Sequence, residues 1–155
     1  MKTDKFYDIL DGELERIIQS NISDETIKKN TSNNNKGKGY AALIWFLDFY
    51  GQKSLFKQYI TDGKEDFSCD IIFSDKNYDG EIIYYVIQSK WVDWKDKNKP
   101  IKKIDKDEFG KTLNDFETIL RGDKGEASNE KFNQKYEELV KHLESNGKAK
   151  FIFLL

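Results

Sequence analysis

Asp70, Gln88 and Lys90 bring a carboxylate, an amide and an ammonium group to the ends of two apolar stretches. Asp66 and Asp70 bracket the start of the first stretch, and Gln88 and Lys90 close the second. Gln88 and Lys90 are two residues apart, so on a strand they share one face and the Ser89 side chain takes the other. If the two stretches are antiparallel neighbours, the start of one lies beside the end of the other and the three groups converge. Oxygen ligands from Asp70, Gln88 and the Ser89 carbonyl suit Mg2+ or Mn2+ and leave coordination positions for water. A cation there neutralises phosphate charge and acidifies a bound water, while Lys90 orients that water or stabilises the pentacovalent charge. The chemistry this points to is phosphodiester hydrolysis.

The elements that must position these groups follow from apolar spacing. Residues 3–20 place Phe6, Ile9, Leu10, Leu14, Ile17 and Ile18 three and four apart, which predicts an amphipathic helix. Residues 30–39 carry four Asn with Thr31, Ser32 and Gly37 and no apolar side chain, so a solvated linker is expected. Residues 40–50 are apolar nearly all round and stop at Gly51, which predicts a buried helix. Residues 54–60, 67–74 and 81–88 read as a three-strand meander, the last two joined by a polar turn over residues 75–80. The unbroken apolar run from Ile82 to Ile87 suits a central strand covered on both faces. Helices are expected over residues 107–120, with Phe109, Leu113, Phe116 and Ile119 in the core, and over 129–143. A closing strand spans 149–155 with no polar residue behind it, which predicts a longer natural chain. The expected fold is α/β, with helix, three strands, helices and strand in order and a mixed four-stranded sheet flanked by helices.

That order and those motifs resemble the PD-(D/E)xK restriction-endonuclease-like superfamily, with its αβββαβ core. Gln88-Ser89-Lys90 is similar to the QxK variant of Mrr-like type IV restriction nucleases. The stretch from Asp62 to Asp70, followed by Val86-Ile87-Gln88-Ser89-Lys90-Trp91, resembles the N-terminal region of AIPR (abortive infection phage resistance) proteins. The likeness runs over residues 40–155 and includes the Phe109 helix, Asn129-Glu130-Lys131 and the closing strand. It implies a metal-dependent endonuclease of bacterial antiphage defence, with Asp70, Gln88 and Lys90 catalytic and Asp70, Gln88 and the Ser89 carbonyl on the metal. It also implies residues 40–155 as the endonuclease-like core, residues 1–39 as an accessory helix and linker, and an absent C-terminal region packed on this domain. The chain departs from the family where Phe67, Ser68 and Cys69 replace glycines, and where the first core helix lacks an early glutamate. Asp66, Asp48, Glu13 and Glu15 are the alternative acidic ligands.

Other readings stand beside these. A polar strand end is common in a lysine-rich chain, and Asp66 is equally a turn-forming side chain. Cys69, alternating with Asp70, is expected on the opposite face as a small core residue, and His142 on a charged helix is expected in solvent. Between Lys95 and Lys106 six lysines meet two aspartates, just after Trp91 and Trp94. Trp91, Trp94, Lys97, Lys99, Lys102 and Lys103 are therefore candidate nucleic-acid contacts, with a solvated loop as the alternative.

Composition bounds the classes. At 155 residues, with 37% apolar and 14% aromatic side chains, the chain can bury one core despite 35% charged residues and a mean hydropathy of −0.78. One cysteine excludes a disulfide framework and multi-cysteine zinc sites, and one histidine makes a Ser-His-Asp triad improbable. A net charge of −2 gives no global field to attract polyanions, so nucleic acid, DNA or RNA, must be held by a local patch or a bound cation. No apolar run approaches a membrane span, so a soluble, cytoplasmic protein is expected, with self-association left open. A catalytically silent endonuclease-like module that binds nucleic acid or a partner protein is the alternative function.

Overall fold

Apolar residues at helical spacing fold Lys2–Ser20 into α1, which buries Leu14, Ile17 and Ile18. The computed structural model describes residues 2–31, 34–90 and 106–154. Asp24 caps α2, Glu25–Thr31: its Oδ1 accepts the N–H groups of Thr26 and Ile27 at 2.9 and 3.2 Å. α1 and α2 both pack on α3, Asn34–Phe49, which buries Tyr40, Ala41, Leu43, Ile44 and Leu47. A 3₁₀ turn, Lys53–Leu55, leads into the short α4, Phe56–Tyr59.

β1, Ile71–Lys76, and β2, Ile82–Ser89, pair antiparallel with Ile71 opposite Ile87 and Lys76 opposite Ile82. Asn77 shapes the turn between them, its Oδ1 accepting the N–H groups of Asp79 and Glu81 at 3.0 and 2.9 Å. β3, Lys148–Leu154, joins β2 in parallel, so β2 is central in a mixed three-stranded sheet ordered β1-β2-β3. Parallel neighbours need a crossover, which α5, Lys106–Leu120, and α6, Glu130–Glu144, supply. Their Phe116, Ile119, Phe132, Tyr136 and Leu139 close over Ile72 and Val86. The alternate side chains Ile71, Phe73 and Ile87 are also buried.

The described residues of Met1–Phe56, with Lys90, form one compact unit, and those of Lys57–Ser89 and Ile104–Leu155 form a second. No described helix is long and apolar enough to cross a membrane.

Several expectations change. The chain is mixed α/β, but within residues 54–60, expected as a strand, residues 54–59 are helical and Ile60 makes only a single bridge to Ile71. Leu55, Phe56, Tyr59 and Ile60 recur at a four-residue interval, a helical rather than alternating pattern. Residues 34–39, expected as linker, form the first turns of α3, because Lys38 finds the buried carboxylate of Asp11 on α1. The α5 core stripe shifts: Thr112, Phe116 and Ile119 are buried, whereas Phe109 and Leu113 are 39% and 46% exposed. His142, expected in solvent, is half-buried and packs against its neighbours. Its ring lies 4.8 Å from that of Tyr84, and its Nε2 is 3.1 Å from the Lys148 carbonyl oxygen. Gly147 makes room for it, since a Cβ there would overlap the imidazole.

Candidate metal centre at the β1–β2 strand ends

Continuing the β1–β2 register one step past Ile71 and Ile87 sets Asp70 opposite Gln88. Both are nearly buried, at 6% and 4% exposure, on the face of the sheet that carries Ile72 and Val86. Gln88 Nε2 donates to Asp70 Oδ2 at 2.7 Å and to the Ser89 carbonyl at 3.0 Å. The Ser89 N–H donates to the same Asp70 oxygen at 2.6 Å. A carboxylate oxygen and a strand carbonyl thus converge on one polarised NH2 group. The sequence reading of these two strand ends as neighbours holds.

The carboxylate is fixed from the chain side by a loop that closes on itself. The N–H groups of Thr61 and Asp62 both donate to the Asp70 carbonyl, at 2.9 and 3.2 Å, and the Thr61 hydroxyl donates to that of Cys69. Inside the loop, Asp66 accepts the Gly63 N–H at 3.1 Å and the Ser68 N–H at 3.2 Å, so its turn-forming role is real. That role does not remove it from the site. Asp62, Asp66 and Asp70 each present a carboxylate oxygen, and the three oxygens lie within 4.8 Å of one another. Asp62 escaped the sequence reading. The even spacing of 62, 66 and 70 was its signal, but it takes the loop's backbone to gather side chains that a strand would spread.

That backbone is unusual. Glu65, Phe67 and Ser68 have φ of 55°, 51° and 59°, in the left-handed region that disfavours side chains. Two of these positions are the ones where glycines were expected from the family resemblance. The same bend breaks the alternation expected of Cys69: it precedes β1 and is buried with Ile72 and Val86 instead of facing away from them. Burial pushes its thiol pKa well up, which makes it a core group and not a nucleophile.

Neighbours hold the loop from outside. The Ser128 N–H donates to Glu65 at 2.6 Å and holds that carboxyl below its ordinary pKa. Ser68 Oγ donates to Asp115 Oδ2 at 2.6 Å, and the Phe67 ring lies 5.5 Å from that of Phe132. The Lys124 ammonium sits over the Phe67 ring, where lost hydration lowers its pKa. Asn129, the N-cap of α6, reaches the Thr61 carbonyl at 2.9 Å and passes so near Gly63 that a Cβ there would stand 3.1 Å from its amide.

Lys90 is exposed, one residue beyond β2, and groups with the first unit. Asp48 and Glu13 also belong to that unit. Asp48 pairs with Lys53 at 3.5 Å beside an open cleft of about 540 Å³, and Glu13 pairs with Arg16 at 2.7 Å. Glu15 lies 3.5 Å from Lys38. Trp91, Trp94, Lys97, Lys99, Lys102 and Lys103 lie outside the described residues.

No family model, curated protein or solved structure matches this chain. The functional reading therefore rests on the residues themselves.

Proposed function

We propose that the chain is a divalent-metal-dependent nuclease module, hydrolysing nucleic-acid phosphodiesters in bacterial antiphage defence. The observation that carries it is the buried Asp70 carboxylate, facing the Gln88 amide and hydrogen-bonded to the backbone of Ser89. The donor set fits a hard cation: the Gln88 NH2 already attracts two oxygens, and turning the amide presents Oε1 beside them. Asp70, Gln88 and the Ser89 carbonyl are the ligands assigned, with Asp66 and Asp62 close enough to add charge. When bound, Mg2+ or Mn2+ supplies phosphate neutralisation and an acidified water. Asp70 anchors, Gln88 orients, and Lys90 is assigned the ammonium that offsets charge on the reacting phosphate. The resemblance to PD-(D/E)xK and AIPR proteins supports the same assignment of Asp70, Gln88 and Lys90.

A second reading has its own observation. The Gln88 amide nitrogen satisfies both oxygens without a metal, as it would in a silent module that binds nucleic acid or a partner protein. The deciding experiment incubates the whole chain with supercoiled DNA and with single-stranded RNA, in Mg2+ or Mn2+ and in chelator. Metal-dependent cleavage lost in Asp70→Ala and Lys90→Ala supports the nuclease. Retained cleavage in either variant, or none in the wild type, overturns it; nucleic-acid binding without cleavage would favour the silent module.

A further inference from the structure

We propose that the Ser68–Asp115 hydrogen bond, with that of Glu65 to Ser128, is a positioning device that keeps Asp66 turned towards Asp70; this rests on the metal reading above. Three of the four residues from 65 to 68 adopt a left-handed backbone, and none is glycine. Each such residue is strained, so the conformation persists only where its surroundings over-determine it. Here each strained residue is held by a side chain reaching outside the loop: Glu65 to Ser128, Phe67 to Phe132, Ser68 to Asp115. The one residue of the four outside the left-handed region is Asp66, whose carboxylate stands beside those of Asp62 and Asp70. The three anchors come from α5, from the segment before α6 and from α6 itself. The crossover that makes β3 parallel to β2 thereby also sets the orientation of one carboxylate at the strand ends. Ser68 and Asp115 touch no substrate in this scheme; they are positioning residues for Asp66.

The test uses the whole chain and Mn2+ alone, titrated calorimetrically. Ser68→Gly removes the anchor and the side-chain strain together, so its melting temperature should stay close to that of the wild type while Mn2+ affinity falls. Loss of support for a direct ligand costs about 10- to 100-fold in affinity, and because Asp66 adds charge beside the assigned ligands the drop should lie at the lower end of that range. Asp115→Ala should show the same loss, whereas Asp115→Asn keeps an acceptor oxygen for the Ser68 hydroxyl and should keep most of the affinity. A purely structural contact would move melting temperature and leave Mn2+ affinity alone. Unchanged affinity in Ser68→Gly, with the wild type binding, overturns this inference while the metal reading stands. A wild-type chain that binds no Mn2+ overturns both.

Discussion

Asp70 and Gln88 meet one register step beyond the last β1–β2 pair, where Gln88 Nε2 donates to Asp70 Oδ2 at 2.7 Å in a nearly dry setting. The same oxygen accepts the Ser89 N–H, so this carboxylate ties the end of the central strand to the start of its neighbour. One atom thus joins the two strand ends and, in the proposed function, also holds the metal.

Removing that atom has a stability cost that can be separated from its chemistry. Asp70→Ala removes the acceptor of the part-buried Ser89 N–H and one of the two acceptors of the Gln88 amide nitrogen, and a donor left unsatisfied out of water costs about 1–3 kcal/mol. Asp70→Asn retains one acceptor oxygen and should lose less. Urea unfolding of the two variants checks the order; equal stability would show that the Asp70 oxygens carry no such load.

The Glu65 carboxyl is fully exposed, yet its pKa is lowered, chiefly by the Ser128 N–H. A depressed folded-state pKa means that the unfolded chain binds the proton more readily. The contribution is therefore present above the ordinary value of 4.5 and is lost as pH falls through the folded value. Solvent screening keeps it small. Glu65→Gln should lack this component, so the wild-type minus variant stability difference should shrink below pH 4.5. A difference that grows on acidification would contradict the bond.

Gly147→Ala should destabilise the α6–β3 corner, because the new Cβ would overlap the His142 ring. Displacing that ring also disturbs its contacts with Tyr84 and the Lys148 carbonyl. His142→Ala vacates the space, so the double variant should lose less than the sum of the single ones. Simple additivity in thermal unfolding would place the strain elsewhere.

These sites differ in how far the sequence discloses them. The β1–β2 hairpin and the Asp70–Gln88 encounter were legible because a continuous apolar run, a polar turn and a polar strand end constrain register locally. α1, α5 and α6 were legible from their periodicity, and β3 from its apolar closing run. What stayed hidden depends on partners remote in sequence. Lys38 turns helical because of Asp11, twenty-seven residues earlier, and the 62–69 loop takes its shape from Asp115, Ser128 and Phe132. Phe67 and Ser68 look like the start of a strand in sequence; only those distant anchors make a left-handed backbone tolerable there. Asp62 was overlooked for the same reason, since only the folded loop puts it beside Asp70.

The amide at position 88 offers the sharpest separation of the two functional readings. Gln88→Glu places a second carboxylate against Asp70, in a site where the present partner is an N–H donor. Without a divalent ion, like charges at hydrogen-bonding distance disfavour double ionisation, so one carboxyl pKa must rise. The folded state then binds a proton more readily than the unfolded one, and the variant should lose stability as pH rises from 5 to 8, opposite in sign to the Glu65 effect. A cation that fits the site reverses the penalty by joining the two carboxylates. Ligand at a hundred times its Kd stabilises by about 2.7 kcal/mol, so Mn2+ should raise the melting temperature of Gln88→Glu well beyond its effect on the wild type. Adding Asp70→Asn should abolish that gain. If Mn2+ shifts neither protein, the strand-end oxygens do not form a cation site, and the Gln88 amide is there to satisfy Asp70 rather than to await a metal.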